Sequence, residues 1–259
     1  MKAHVQTKRK FYKTILNSNI AGEYYVNLLP NKKYIISLVG AGGGVAGVIR
    51  DLGYGWSALV ATGGSGAYIK SEFSILQQTE TQFKVTIGQG GDIISGNQAS
   101  TVGGEVNKGT ATTFSINDIL LLSCEGGMGG RSPVEGGAGG VYSVSEEYDN
   151  HLDSSADIEE CKSGQAGVYF IEHHPKGDAN YGSPWCRTNT SGGLSAYNYR
   201  QYGYGSGGGC VNVTPYKGHD GFCQILMETT EDDYDFSEDE HTYSLPAKVD
   251  REYYYGIGD

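Results

Sequence analysis

The sequence predicts an all-β fold, a jelly-roll-like β-sandwich in which glycine-rich runs pack in the manner of polyglycine II. Three observations favour this fold. Many short segments alternate polar and apolar residues with the period of two that is typical of strands. Glycine accounts for 41 of the 259 residues, about twice its usual share, and is concentrated in runs between these segments. No segment has the length and periodicity of a long amphipathic helix.

The first glycine run follows an apolar strand, Lys33–Val39, and places five glycines within residues 40–47. Neither a helix nor a strand favours such a run, because glycine loses the most backbone freedom on folding. A polyproline II chain has three residues per turn and no internal hydrogen bonds, so its N–H groups can bond to neighbouring runs. We therefore predict a lattice of runs, with mobile loops as the alternative. Five further runs are Gly63–Gly66, Gly88–Gly91, Gly126–Gly130, Gly136–Gly140 and Gly205–Gly209.

Strands are predicted along most of the chain, joined by turns rich in glycine, asparagine and aspartate. Asn117 and Asp118 form the predicted turn of one hairpin, and Arg50–Trp56 is interpreted as a small loop. Glu146–Glu160 is the only segment that could form a short helix. The predicted strands are Phe11–Leu16, Gly22–Leu28, Lys33–Val39, Ala67–Phe73, Gln82–Ile87, Thr112–Ile116, Ile119–Ser123, Val141–Val144, Gly167–Ile171, Cys210–Val213 and Gly221–Met227.

Charge divides the chain into a basic N-terminal arm (1–20), a glycine-rich β domain (21–227) and an acidic, aromatic C-terminal segment (228–259). Eight acids within residues 228–240 predict an extended, solvated segment. Because aromatic residues interrupt the acids, we expect a strap that docks on a partner rather than an inert tail. The residues predicted to make this assembly contact are Lys8, Arg9, Lys10, Tyr234, Phe236, Tyr243 and Tyr254.

Composition argues against several classes of protein. A net charge of −11 disfavours non-specific binding to nucleic acid. No apolar run reaches membrane-spanning length, and no apolar segment follows the basic N-terminus as it would in a secretory signal. The five cysteines show no C-x-x-C spacing, so we expect isolated, reduced thiols in a protein made in a cytosol.

Motifs for cofactors and catalysis are weak. Gly42, Gly44 and Gly47 match the dinucleotide-binding spacing, but no acid follows about 20 residues later and no βαβ pattern surrounds them. His173 and His174 would point to opposite sides of a strand, and no further ligand lies at metal-binding spacing. We expect no catalytic residues, no metal and no cofactor.

Two segments, residues 173–187 and 194–204, combine aromatic and charged residues as binding surfaces do. Aromatic rings provide contact area at a small entropy cost, and they can stack on sugars. The alternative, that these tyrosines pack over edges of the lattice, stays open. The candidate host-contact residues are Tyr181, Trp185, Tyr197, Tyr199, Arg200, Tyr202 and Tyr204.

The order of these features resembles the glycine-rich domain of bacteriophage tail-fibre and receptor-binding adhesin proteins. The resemblance spans about residues 23–227 and implies polyglycine packing, with loops between the runs touching a host receptor. The matching pieces are the strand entering VGAGGG, then GGSGAYIK, VTIGQGG, the paired runs GGMGG and GGAGG, GYGSGGG, and a closing strand GFCQILM.

The resulting expectation is a non-enzymatic structural protein of a virion, made in the host cytoplasm. It would be a tail-fibre or receptor-binding component that displays host-contacting loops on a rigid scaffold. Its partners would be other virion proteins and a host receptor, glycan or protein, and it would be oligomeric in the particle. The alternatives are a head-surface protein (head fibre or decoration), another assembly protein, and a glycan-cleaving enzyme, which would need opposed carboxylates in a groove.

Overall fold

The computed structural model describes residues 10–51, 55–95, 104–131, 135–153, 158–175, 192–211 and 214–230. The chain divides into two compact units. The larger is Thr14–Met227, and the smaller is made by the chain ends, Met1–Lys13 and Glu228–Asp259. No helix in the described part of the chain is both long and apolar enough to cross a membrane.

Six strands form the first sheet. In chain order they are β1 (Phe11–Ser18), β3 (Lys33–Val39), β6 (Tyr68–Ile75), β12 (Leu152–Asp153), β13 (Ile158–Lys162) and β17 (Phe222–Thr229). Their order in the sheet is β1, β17, β3, β6 and β12, with β13 also paired to β6. The pairs around β3 and β6 are all antiparallel.

Five antiparallel strands form the second sheet: β2 (Gly22–Leu28), β7 (Thr81–Ile87), β9 (Thr112–Ile116), β10 (Ile119–Cys124) and β11 (Tyr142–Val144). Their order in the sheet is β11, β10, β9, β7 and β2. The hairpin β9–β10 turns at Asn117 and Asp118, whose φ angles of 47° and 64° are the positive values that a tight two-residue hairpin requires. This predicted turn is therefore confirmed.

These two sheets share one apolar core. Buried and partly exposed residues alternate along β6, β7 and β9, as expected for strands with one face inward. Phe114 from the second sheet lies 5.7 Å from Phe73 of the first and stacks at 5.0 Å on Phe83, measured between ring centroids. Each fully buried ring of this kind contributes about 1.5–3 kcal/mol. The predicted all-β sandwich is confirmed.

A third sheet corrects the two ends of the loop predicted at Arg50–Trp56, which belong to strands; residues 52–54 lie outside the described residues. It contains β4 (Ala46–Asp51), β5 (Gly55–Ala61), β8 (Ile94–Ser95) and β14 (Tyr169–Pro175), in the order β14, β5, β4 and β8. β4 and β5 pair with each other, and Val45, Ala58 and Val60 form a small buried cluster with Phe170. A short hairpin, β15 (Gly209–Val211) with β16 (Thr214–Tyr216), completes the sheets.

Among the described residues of Glu146–Glu160, four are helical and the others are not. One helix, α1 (Tyr148–His151), spans only four residues, and β12 begins directly after it. Tyr148 is buried, and its hydroxyl lies 2.7 Å from the Ser71 hydroxyl of β6. Packing and pairing against β6 therefore override the weak local preference for a helix.

The run of residues 40–44 lies at the centre of a hydrogen-bonded lattice. Its first and fourth N–H groups donate to residues 62–67, at 2.9 Å each, and its second and fifth donate to residues 107–110, at 3.2 and 2.8 Å. The third donates to the carbonyl of His219 at 2.8 Å. Residues three apart thus reach the same neighbour, as they do in a helix with three residues per turn.

The run of residues 62–67 repeats this pattern. Its first and fourth N–H groups donate to residues 165–168, its second and fifth to residues 205–208, and its third and sixth to residues 125–128, all at 2.8–3.0 Å. With the bonds that their carbonyls accept, the two central runs each bond to six other segments. The runs are therefore a lattice of the polyglycine II type rather than mobile loops.

At its central glycines the lattice leaves no space for a side chain. A Cβ atom on Gly43 would overlap the backbone carbonyl of Met128, and one on Gly64 would overlap the carbonyl of Ala138. Most other lattice glycines face a neighbouring backbone in the same way. The glycine content of the chain is thus explained by backbones that pack closer than a Cβ allows.

Candidate functional site

The predicted contact loop, residues 194–204, is fastened directly to the lattice. Gly193 donates its N–H to Gly63 at 2.9 Å, immediately before the loop begins. The buried Ser195 then closes the loop, because its hydroxyl donates to the carbonyl of Tyr204 at 2.6 Å. The Ser195 carbonyl also accepts the N–H of Tyr199 at 2.8 Å. Both ends of the loop are therefore held by hydrogen bonds.

Two of the predicted contact tyrosines pack inward. Tyr204 stacks on Phe222 with ring centroids 4.3 Å apart, and Tyr197 meets Tyr68 edge to face at 5.3 Å. Both rings lie against a buried cluster that includes Val39. Burial raises the pKa of the Tyr197 hydroxyl, with a smaller contribution from Tyr204. These two rings fix the loop on the first sheet.

Two other predicted contact residues, Tyr199 and Tyr202, point outward. Their exposed fractions are 53% and 55%. Tyr199 has a φ of 53°, which is uncommon for a residue other than glycine, and the Lys162 ammonium lies 4.8 Å from its ring centroid. The adjacent Arg200 is also exposed. The loop therefore presents two rings and a cation to solvent.

An aromatic platform, defined as Tyr202, Tyr216 and His219, lies beside this loop. The Tyr202 ring centroid is 5.2 Å from that of Tyr216 and 6.0 Å from that of His219. The Gln201 amide donates to the hydroxyls of Tyr202 and Tyr216, at 3.3 and 2.9 Å. The three rings thus touch one another and form one continuous surface.

A depression of about 240 Å³ adjoins the platform. One carboxylate oxygen of Asp220 accepts the N–H of Gly90 at 2.8 Å and lies 3.9 Å from the Lys217 ammonium. Burial lowers the pKa of His219; Asp220 opposes this effect and Lys217 adds to it. The lining residues are Asn19, Tyr204, Tyr216, Lys217, Gly218, His219 and Asp220.

Sequence reasoning missed the part of this site that comes from residues 216–220. A usable signal is present, since Tyr216, Lys217, His219 and Asp220 combine aromatic and charged side chains around a glycine. The same combination identified the loop of residues 194–204. The lattice brings the two segments together, because the His219 N–H donates to the Ser206 carbonyl at 2.9 Å.

Of the remaining predicted site residues, all but Lys10 lie outside the described part of the chain. Among the assembly candidates, Lys10 is described, and its ammonium forms an ion pair with Glu228 at 3.4 Å. Predicted host-contact and assembly residues outside the described ranges are Tyr181, Trp185, Lys8, Arg9, Tyr234, Phe236, Tyr243 and Tyr254.

The residues of the weak cofactor and metal motifs lie in the glycine lattice and in strands. Gly47, the last glycine of the dinucleotide-like motif, lies within the strand β4, where a nucleotide-binding fold would place a helix. His173 lies opposite Ser57 across β14 and β5, with 2.7 Å between its Nδ1 atom and the Ser57 hydroxyl. Within the described ranges, no group of three or more His, Cys, Asp and Glu side chains is placed to hold a metal ion.

Comparison with known proteins identifies the domain. The chain matches no curated protein. A sequence model of the glycine-rich domain family matches residues 18–231, which include both central runs, the sandwich strands from β2 onward and the aromatic platform. This match covers most of the chain, and the chain therefore belongs to the glycine-rich domain family.

Proposed function

We propose that this protein is a non-enzymatic recognition component of a bacteriophage particle, carried on a tail fibre, which presents its aromatic loop to a host receptor. One observation carries the proposal: the loop of residues 194–204 is fastened to the lattice at Gly193 and still exposes Tyr199 and Tyr202. Exposed rings on a fixed base are typical of recognition surfaces.

The lattice supports this function by holding the loop in one shape before binding. Each backbone hydrogen bond contributes a modest amount, about 0.5–1.5 kcal/mol net, but many of them act together in the lattice. A loop that is already ordered loses little conformational entropy when a partner binds. Rigid display therefore favours affinity without a deep pocket.

The backbone at Tyr199 also supports a role in contact. Residues other than glycine at positive φ carry strain of the order of 1–3 kcal/mol, and such residues cluster at functional sites. The hydrogen bond from the Tyr199 N–H to Ser195 holds this conformation and turns the ring outward. A purely structural turn would be served better by glycine at this position.

The charges of the site favour binding over catalysis. Glycoside hydrolysis usually needs two carboxyl groups facing each other across the scissile bond. Among the described residues that line the depression, Asp220 is the one carboxylate. One of its oxygens accepts the Gly90 N–H, and no second carboxyl group faces it among the described lining residues.

Adhesion of the purified protein to bacterial cells tests the proposal. Labelled protein is screened against a panel of bacterial strains, and binding to an adhering strain is titrated. We expect the double variant Tyr199→Ala with Tyr202→Ala to weaken binding at least tenfold without changing the melting temperature. Tyr25→Ala is the matched control, because Tyr25 is 59% exposed on β2 of the second sheet, whereas the contact loop packs on the first sheet.

Two results would reject the proposal. The first is the absence of binding to every strain, including strains on which related phages grow. The second is full binding by a well-folded double variant, which would remove the loop from the contact surface and favour a head-surface or assembly role.

A further inference from the structure

We propose that the depression beside the aromatic platform is a binding subsite for one neutral pyranose ring of a surface glycan. This inference rests on the proposed function and deepens it, because it names the class of ligand that the displayed face takes. It is carried by three features of the site: an apolar wall of aromatic rings, a fixed carboxylate at the rim and a balanced charge.

The rings of Tyr204, Tyr216 and His219 line the depression and provide its apolar wall. Tyr202 and Tyr216 lie with ring centroids 5.2 Å apart, and His219 extends the same surface. A pyranose has a face of C–H groups that packs on such rings, while its hydroxyls remain at the edge. Because the platform rings contact one another, they leave no gap in which an ammonium group could be enclosed, as an aromatic cage requires.

The rim provides polar groups that match sugar hydroxyls. The Gly90 N–H holds one oxygen of Asp220, which orients the carboxylate and leaves its other oxygen to accept from a hydroxyl. Asn19 lies on the same rim and offers both an amide donor and a carbonyl acceptor. A fixed acceptor beside an adaptable amide is suited to a pair of neighbouring hydroxyls.

The charge of the lining favours a neutral ligand. Lys217 and Asp220 carry opposite charges 3.9 Å apart and balance each other. His219 is half-buried, and burial keeps its imidazole neutral near pH 7. An acidic sugar or a phosphate would face the Asp220 carboxylate, and a cation would face the Lys217 ammonium.

The size of the depression is suited to a single ring. Its volume of about 240 Å³ is below the roughly 300–1,000 Å³ of pockets that enclose drug-sized ligands. Neighbouring sugars would therefore lie outside it, over the exposed face of Tyr202. One site of this kind binds weakly, and several copies on one particle would raise the overall affinity by multivalency.

Amide NMR titrations on the full chain test the subsite. The probes are the methyl glycosides of glucose, galactose, mannose and N-acetylglucosamine, with methyl glucuronide, inorganic phosphate and tetramethylammonium as charged comparisons. We expect at least one neutral glycoside to shift the amide signals of Gly90, Gly218 and His219, with little effect from the charged probes.

Variants locate the ligand. Tyr216→Ala and Asp220→Asn should each weaken glycoside binding at least fivefold, because both residues line the depression. Asp220→Asn keeps an acceptor for the Gly90 N–H, so the fold is preserved. Tyr25→Ala is the matched control and should leave glycoside binding unchanged, because Tyr25 is an exposed tyrosine on β2 that does not line the depression. The inference is overturned if no neutral glycoside binds, if a charged probe binds more tightly, or if both well-folded variants bind like the parent.

Different experimental results would reject the recognition function and the sugar subsite. Glycoside binding at these residues without adhesion to any cell would reject the recognition function and keep the sugar subsite. Adhesion that depends on Tyr199 but no response to any glycoside would reject the subsite and keep the recognition function.

Discussion

The surroundings of His219 in the fold lower the pKa of its imidazole. The platform rings Tyr202 and Tyr216 lie against its imidazole, and Asp220 and Lys217 flank it in the chain. Burial disfavours the charged imidazolium and lowers the pKa; Lys217 acts in the same direction, whereas Asp220 opposes it. The folded protein therefore holds His219 neutral to lower pH than the unfolded chain does.

We expect His219 to make the protein less stable as the pH falls below about 6.5, its pKa in the unfolded chain. Below that pH the unfolded state binds a proton on His219 that the folded state still excludes. The loss of folding stability therefore grows until the pH passes the lower pKa of His219 in the folded protein. Thermal melts from pH 8 to pH 5 on the parent and His219→Gln check this, since every other group titrates in both proteins. The variant should gain stability relative to the parent as pH falls, and a constant difference would contradict the prediction.

The tyrosines of the contact loop show where prediction from sequence stops. The loop was predicted to carry contact residues, and the structure places Tyr199 and Tyr202 outside and Tyr197 and Tyr204 against the sheet. Strands allow inside and outside to be distinguished by their period of two, but an irregular loop has no period. The distinction here depends on Phe222, from a strand distant in sequence, and so could not be derived locally.

At the scale of elements, the strands with clear alternation were predictable and those next to glycine runs were not. The predicted bounds of β2, β3 and β9 agree with the structure, because one face of each is buried against the sandwich core. The strands β4 and β5 were missed, since small residues replace large apolar ones where they approach the lattice. The segment that contains β12 and β13 was missed because its pairing partner, β6, lies far away in the sequence.

In the central run of residues 40–44, one added methyl group should have a large effect on the stability of the protein. We expect Gly43→Ala to destabilise the protein by about 1–3 kcal/mol or to prevent folding, because its Cβ overlaps the Met128 carbonyl in a backbone that cannot move without breaking other bonds. Urea unfolding measures the change. The matched control is Ala138→Val, which enlarges an exposed residue of another run and should change stability by less than about 0.5 kcal/mol. Equal stability of Gly43→Ala and the parent would show that the lattice is loosely packed.

At the scale of the whole molecule, the acidic C-terminal segment stays a prediction. The last strand, β17, ends at Thr229, so removing residues 231–259 leaves every described strand intact. We expect the truncated protein to keep its melting temperature but to lose assembly, because the predicted strap carries acids that steer binding and rings that anchor it. Sedimentation and incorporation into particles measure assembly.

A second variant separates charge from aromatic anchoring in that segment. Replacing Tyr234, Phe236 and Tyr243 with serine keeps all the acids, and it should impair assembly nearly as much as the truncation does. If truncated protein assembles at the parent level, the segment is only solvated charge and the strap is wrong.

The bonding pattern of the central run also determines when the protein can fold. Residues 40–44 bond to segments that extend from Gly64 to His219, so the first run is synthesised long before its last partner. Contacts of such long sequence separation slow folding, because distant parts of the chain must meet before any of them is stabilised. On the ribosome, the central glycine core therefore stays incomplete until nearly all of the domain has been translated, and it closes only after chain synthesis has passed His219.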